Sequence, residues 1–267
     1  MSFFCVQNVS AGYGAAHIVR NVSLSVENGC VMGLLGANGS GKTTLLKAMC
    51  GILPHSGSCT LNQEELEKLS PRQLSKRVSY IPQRSGISID MSVLDVVLMG
   101  FNPQLGLLEH PTKAMKEEAR EALSRVGMAG KERENYLHLS EGQKQLCILA
   151  RSMVSGGKLL LLDEPESALD VQHRYQMLDM IRQWVMHTNG SAVITLHDPM
   201  MALNYCDRLL LLHDGEVLTI LTPAEDPLEK MEEMLAELYG PVCLQWCSTR
   251  NGKKYLIMLK EDALCER

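Results

Sequence analysis

One nine-residue string, GANGSGKTT at Gly36 to Thr44, constrains this chain more than any other feature. Such a string needs a strand ahead of it and a helix behind it, and the flanking residues provide both. CVMGLLG, ending at Gly36, is a continuous apolar run that reads as a buried strand. Lys42 to Met49 is helix-friendly, and Gly51 and Pro54 stop it. The glycines allow consecutive backbone N–H groups to turn inward, and the helix beginning near Gly41 aims its positive end at the same point. Gly36, Gly41, Lys42 and Thr43 have the spacing of a phosphate-binding loop. Lys42 is suited to hold the β and γ phosphates of a nucleotide and Thr43 to ligate Mg²⁺, with Asn38, Gly39, Ser40 and Thr44 completing the cradle. A chance glycine-rich turn would not sit between a strand and a helix in this way.

LLLLDEP at Leu159 to Pro165 supplies the acidic partner. Its leucines read as a central parallel strand buried on both faces. Such a strand delivers Asp163 to its C-terminal end, where ligands bind in sheets of this kind. Asp163 is then suited to hold Mg²⁺, and Glu164 is the candidate general base for an attacking water. A helix cap would explain one carboxylate after a strand, but not two.

The remainder reads as alternating α and β around these strings. Strands are expected at FFCVQNVSAGYG and IVRNVSLSVENG, with Asn28-Gly29 as a hairpin signal before the CVMGLLG strand. A turn is expected at His55 to Gly57, then a strand SCTLN, then a helix with Pro71 at its first position capped by Ser70. Beyond Gln83 the character turns helical, with Ala119, Ala122, Leu123 and Val126 at helical spacing. From Lys158 the α/β pattern returns, with a single strand expected over RLLLLHDGEVLTI. An acidic amphipathic helix and a terminal hairpin around Asn251-Gly252 are expected after Pro223.

A net charge of −5 and only 4% aromatic residues give no reason to expect nucleic acid as a partner. No secretory leader is evident, and no run approaches the roughly 18 apolar residues of a membrane span. Nine cysteines, an odd number without a regular framework, point to reduced, mostly buried thiols. CLQWC at Cys243 to Cys247 has no second Cys/His pair at zinc-like spacing and reads as strand packing.

With its phosphate loop, LLLLDEP, and LSEGQ at Leu139 to Gln143, the chain strongly resembles the nucleotide-binding subunit of ATP-binding cassette transporters, from Val6 to about Thr222. The resemblance implies an α/β phosphate-loop NTPase core with a mainly parallel sheet, an N-terminal antiparallel β subdomain and an inserted α-helical subdomain. The corresponding division is a cassette domain over 1–222, the helical insertion at about 86–150, and a C-terminal helix plus hairpin over 223–267. It implies that LSEGQ is a signature, with Ser140, Gly142 and Gln143 serving the γ-phosphate held by the opposite subunit. Gln83 matches a loop linking Mg²⁺ and water to the membrane partner, and His197 a switch histidine facing the γ-phosphate. Asp170 in SALD matches a loop crossing the dimer interface, and Tyr13 an aromatic that stacks on adenine. ATP and Mg²⁺ are the implied cofactors. The implied partners are a second copy, transmembrane permease subunits and, indirectly, a substrate-binding protein, which places the chain in the cytoplasm on the inner face of the membrane.

Glu141 stands where the signature usually has glycine, and it is expected to point away from the nucleotide. Ile87, Ile89, Met91, Val93 and Val96 form the expected dock for a permease helix. MSVLDVVLMGFNPQLGLLEHP and the ELYG segment resemble importers of iron chelates, haem or vitamin B12. A soluble cassette ATPase for DNA repair, ribosomes or cluster assembly is the alternative class.

Overall fold

The structure is a computed structural model that describes residues 2–14, 16–84, 86–106 and 108–260. The chain starts with β1 (Phe4–Tyr13) and β2 (Ala16–Val26), then β3 (Val31–Leu35), α1 (Lys42–Met49), β4 (His55–Leu61) and the short β5 (Glu64–Glu65). α2 (Pro71–Ser75) and β6 (Val78–Ile81) follow, then α3 (Val93–Leu98), α4 (Lys113–Arg125) and α5 (Glu141–Met153). The last part holds β7 (Leu159–Asp163), α6 (Val171–Thr188), β8 (Ser191–Thr195), α7 (Pro199–Tyr205), β9 (Arg208–His213), β10 (Glu216–Leu221), α8 (Leu228–Tyr239), β11 (Val242–Ser248) and β12 (Lys254–Lys260).

The central sheet has six strands in the order β10-β9-β3-β8-β7-β6, parallel except for the β9–β10 edge pair. All residues of β3, β7 and β8 are buried, as expected of strands covered on both faces. A four-stranded sheet, β2-β1-β4-β5, is antiparallel throughout. α1 lies between the two sheets, with Leu45, Leu46 and Met49 in the same apolar cluster as Phe4, Leu34 and Leu161. α3, α4 and α5 pack together through Val93, Val96, Ala119, Ala122, Leu123 and Ile148, continuous with the core on the other face of the central sheet.

The Ser70 cap and the terminal hairpin expected from the sequence recur in the structure, and two further caps join them. Ser70 caps α2 in a capping box with Pro71 at the first helical position. Ser140 and Asp170 cap α5 and α6 through their side chains. β11 and β12 form the terminal hairpin, held to α7 by Asn204, whose Nδ2 donates to Leu256 O and whose Oδ1 accepts from Leu256 N.

Three expectations are corrected. Asn28-Gly29 does not close a hairpin: β2 and β3 lie in different sheets, and Gly29 N donates to Gly190 O across the central sheet. RLLLLHDGEVLTI is two strands, because Asp214 and Gly215 both take positive φ and turn the chain back on itself. His55 to Gly57 belongs to β4, where a bulge in β1 shifts the pairing between Gln7↔Ser58 and Ser10↔Ser56. Gly57 has φ 82°, and a Cβ there would lie 2.4 Å from Gln7 O, so the bulge admits only glycine. Among the cysteines, Cys30, Cys50, Cys59, Cys147 and Cys206 are buried thiols, whereas Cys247 is exposed on its strand.

Candidate nucleotide site

The C-terminal ends of β3, β6, β7 and β8 converge because their strands are parallel and in register. Asp163 at the end of β7 stands opposite Thr195 at the end of β8. The loop leaving β3 wraps the start of α1, and Gly36 there has no room for a side chain: a Cβ would sit 2.3 Å from Leu212 O. Gly41, with φ 102°, precedes Lys42. Lys42 is buried, and its Nζ donates to the carbonyls of Gly36 at 2.8 Å and Ala37 at 3.2 Å. Burial lowers the Lys42 ammonium below its usual pKa, an effect opposed by Glu164 and Asp163. Ser40 and Thr44 are buried in the loop and first turn, and Asn38 and Gly39 are exposed at its rim.

Asp163 is the centre of a hydrogen-bond set. Its Oδ1 accepts from Thr43 Oγ1 at 3.0 Å and Thr195 Oγ1 at 3.1 Å, and its Oδ2 accepts from Tyr80 Oη at 3.3 Å. Tyr80 is pushed far above the usual phenol pKa by burial and by Asp163, so it remains a donor. The Thr43 hydroxyl and the Asp163 carboxylate form an oxygen-only pair, the donor chemistry that suits Mg²⁺.

Glu164 follows with φ 46°, a left-handed conformation that costs a non-glycine residue about 1–2 kcal/mol. Its backbone N–H donates to Thr195 Oγ1 at 2.7 Å, and its carbonyl accepts from Ser167 N at 3.1 Å. Gln83 Nε2 donates to Glu164 Oε2 at 2.6 Å, and His197 Nε2 lies 2.7 Å from the same oxygen. Among the described residues no hydrogen-bond donor reaches Oε1. Gln83 is also tied from behind, since its carbonyl accepts from the buried Gln145 Nε2 on α5. The structure thus brings together Lys42, Thr43, Gln83, Asp163, Glu164 and His197.

The signature residues form a second surface. Ser140, Gly142, Gln143 and Asp170 line one cavity of about 270 Å³ with Ala168 and His173. A Cβ on Gly142 would lie 2.9 Å from Leu169, so α5 and the SALD loop pack directly. Glu141 turns along its own helix, where Oε1 accepts from Lys144 Nζ at 2.7 Å. No hydrogen bond among the described residues joins Ser140, Gly142 or Gln143 to the phosphate-loop set. Tyr13 is half exposed beside a separate recess framed by Gly12, Leu53, Pro54 and His55. Of the expected permease dock, Val93 and Val96 are buried in the helical core, Ile87 and Met91 pack against it, and Ile89 is exposed.

Sequence reasoning missed Tyr80, Thr195, Gln145 and Glu166. Glu166 is buried, its Oε1 accepts from His197 N at 3.3 Å, and its Oε2 has no partner. Desolvation raises its carboxyl above the usual glutamate pKa. A polar residue closing an otherwise apolar strand, as in SAVIT, was the available signal for Thr195, and Tyr80 stands one position before the end of VSYI.

Fold and site define a phosphate-loop ATPase whose acidic pair, glutamine and histidine meet at the ends of a parallel sheet. The ABC transporter family model matches residues 19–167, and the chain belongs to that family. It is 36% identical over 228 residues to the hemin import ATP-binding protein HmuV of Bordetella pertussis, covering 82% of this chain and 86% of that one. It is 32% identical over 236 residues to a protein assigned as an iron chelatin transport ATP-binding protein of Helicobacter pylori, covering 88% and 91%. Among solved structures, one assigned to the metal-chelate type of ABC transporter, in an inward-facing conformation, superposes with TM-score 0.82 at 25% identity, covering 98% of this chain and 99% of that one. No helix among the described residues is long and apolar enough to cross a membrane.

Proposed function

We propose that this chain is the ATP-hydrolysing subunit of an importer for an iron chelate, haem or cobalamin, and that two copies close over two nucleotides. The observation that carries the ATPase reading is the convergence of Gln83 and His197 on one oxygen of Glu164, beside Lys42, Thr43 and Asp163. The named relatives support the cargo class. A soluble cassette ATPase has no support among them.

In this reading the amide groups of Gly36 to Thr44 bind the triphosphate, with Asn38, Gly39 and Ser40 at the turn and Thr44 in the first helical turn. Lys42 exchanges its loop carbonyls for phosphate oxygens. Tyr13 stacks on adenine. Thr43, Asp163 and the free side-chain oxygen of Gln83 would hold Mg²⁺, which when bound neutralises phosphate charge. Glu164 takes the proton of the attacking water through Oε1, while Gln83 and His197 orient the carboxylate through Oε2. Ser140, Gly142 and Gln143 complete the site of the second copy, and Asp170 lies at the contact between the two. The separation of the signature surface from the phosphate loop within one chain supports this arrangement. Permease subunits, fed by a substrate-binding protein, receive the motion through the Gln83 region on the inner face of the membrane.

Reconstitution with a candidate permease of the same organism tests the proposal. Wild-type chain should drive ATP-dependent uptake of haem or a ferric chelate into vesicles. Glu164→Gln should still form an ATP-dependent dimer, with hydrolysis slowed about 10²–10⁴-fold. Rapid hydrolysis by that variant refutes Glu164 as base, and uptake independent of this chain refutes the transport role.

A further inference from the structure

A group of metal-ligating side chains lies outside the nucleotide site, on the antiparallel sheet. His55 and Cys59 occupy the same face of β4, four residues apart in a strand whose side chains alternate. Glu67, in the turn of helix after β5, folds over them. Their ligand atoms all lie within 4.8 Å of one another. His55 Nε2 is 3.0 Å from Glu67 Oε1, and Cys59 Sγ is 3.9 Å from His55 Nε2.

The surroundings suit a bound cation, which would take the place of the His55–Glu67 ion pair. Both ring nitrogens of His55 face acceptors, since Nδ1 lies 3.3 Å from Leu53 O while Nε2 meets the Glu67 carboxylate. A neutral imidazole has one N–H and satisfies one of them. A donated Nδ1–H to Leu53 O would orient the ring as in metal-bound histidines, with the Nε2 lone pair turned toward the thiol and the carboxylate. Cys59 is 1% exposed, so its sulfur is shielded from bulk solvent. A dication bound by a thiolate, a carboxylate and a neutral imidazole leaves no net charge buried.

We propose that His55, Cys59 and Glu67 form a binding site for a borderline-soft divalent cation of the zinc class. Ligand bonds of about 2.0–2.3 Å place tetrahedral N, S and O donors near the separations found here. Binding releases the Cys59 proton to solvent. Glu67 is part-exposed and provides the entry path. His55 also borders the recess beside Tyr13, so an occupied site stiffens one wall of the proposed adenine face, a consequence that rests on the reading of Tyr13 given above.

The test titrates the reduced, chelator-treated full chain with Co²⁺ in the absence of nucleotide. One equivalent should produce a thiolate-to-cobalt charge-transfer band, and Zn²⁺ should abolish it stoichiometrically. Cys59→Ala should remove the band, and His55→Ala and Glu67→Gln should each weaken binding about tenfold or more. Circular dichroism of Glu67→Gln, altered at a part-exposed position, provides a folded control if Cys59→Ala is unstable. No band in the wild type, a band that survives Cys59→Ala, or affinity unchanged in Glu67→Gln overturns the site. Because nucleotide is absent, failure here leaves the ATPase reading untouched.

Discussion

Thr195 is the residue through which the position of Glu164 can be tested without touching Glu164. Its hydroxyl donates to Asp163 Oδ1 and accepts from Glu164 N, and the side chain is fully buried. Thr195→Val conserves shape and removes both bonds. The bond to an ionised carboxylate contributes about 1.5–3 kcal/mol and the backbone bond about 1 kcal/mol. The added methyl recovers about 0.8 kcal/mol through burial, leaving a net loss of about 2–3 kcal/mol. Glu164 also loses the contact that holds its left-handed backbone, and misplacement of a reacting group by 1 Å costs about 10²-fold. Urea unfolding should register the stability loss, and steady-state ATPase assays should show kcat lowered about 10- to 100-fold, with KM for ATP within about threefold. Thr195→Ser keeps the hydroxyl and should keep kcat within about threefold of wild type. If Thr195→Val loses stability while kcat stays within about twofold, the hydroxyl does not position the base.

Glu141→Gly should leave ATP affinity within about threefold, because the carboxylate is already paired with Lys144 on its own helix. A tenfold rise measured with a fluorescent nucleotide would show that Glu141 does repel the phosphates; the expected cost is about 0.5–1 kcal/mol of stability for glycine in a helix. Glu166→Gln should flatten part of the pH dependence of folding. The folded carboxyl binds its proton more tightly than the unfolded one, so its contribution is fully present below about pH 4.3 and is lost as pH rises through the folded value. Wild-type stability should therefore decline relative to Glu166→Gln across that window, by about 1.4 kcal/mol for each pH unit between the two values, and run parallel above it. Parallel denaturation midpoints from about pH 4 upward would rule the effect out.

Signals that act over one helical turn were legible in the sequence. Ser70, Ser140 and Asp170 each bond a backbone N–H within three residues, so the cap can be read from the neighbouring letters alone. Asn28-Gly29 misled for the opposite reason. The dipeptide specifies a tight turn, and Gly29 does take positive φ, but where the next strand pairs is decided by its faces. VMGLL has no polar face to leave exposed, so it joins the central sheet between β8 and β9 instead of pairing with β2, which alternates. Asp214-Gly215 was the stronger hairpin signal, since its flanking strands pair with each other from His213↔Glu216 outward.

The same distinction separates the parts of the site. Lys42 and Thr43 follow from the spacing of the phosphate loop, and Asp163 with Glu164 from the end of a buried strand. The groups that fix the two carboxylates are set by register between segments far apart in the chain. Thr195 reaches Asp163 because β7 and β8 pair in parallel with these two residues opposite one another. Tyr80 reaches it from the other side, because β6 pairs with β7 through Tyr80↔Leu161 and ends near the same point. A shift of one residue in either pairing would turn these side chains to the opposite face of the sheet. Glu164 therefore depends on two levels of structure at once. Its position after Asp163 is written locally, whereas its left-handed backbone is held by a hydroxyl from β8 and its carboxylate by donors from the loops after β6 and β8.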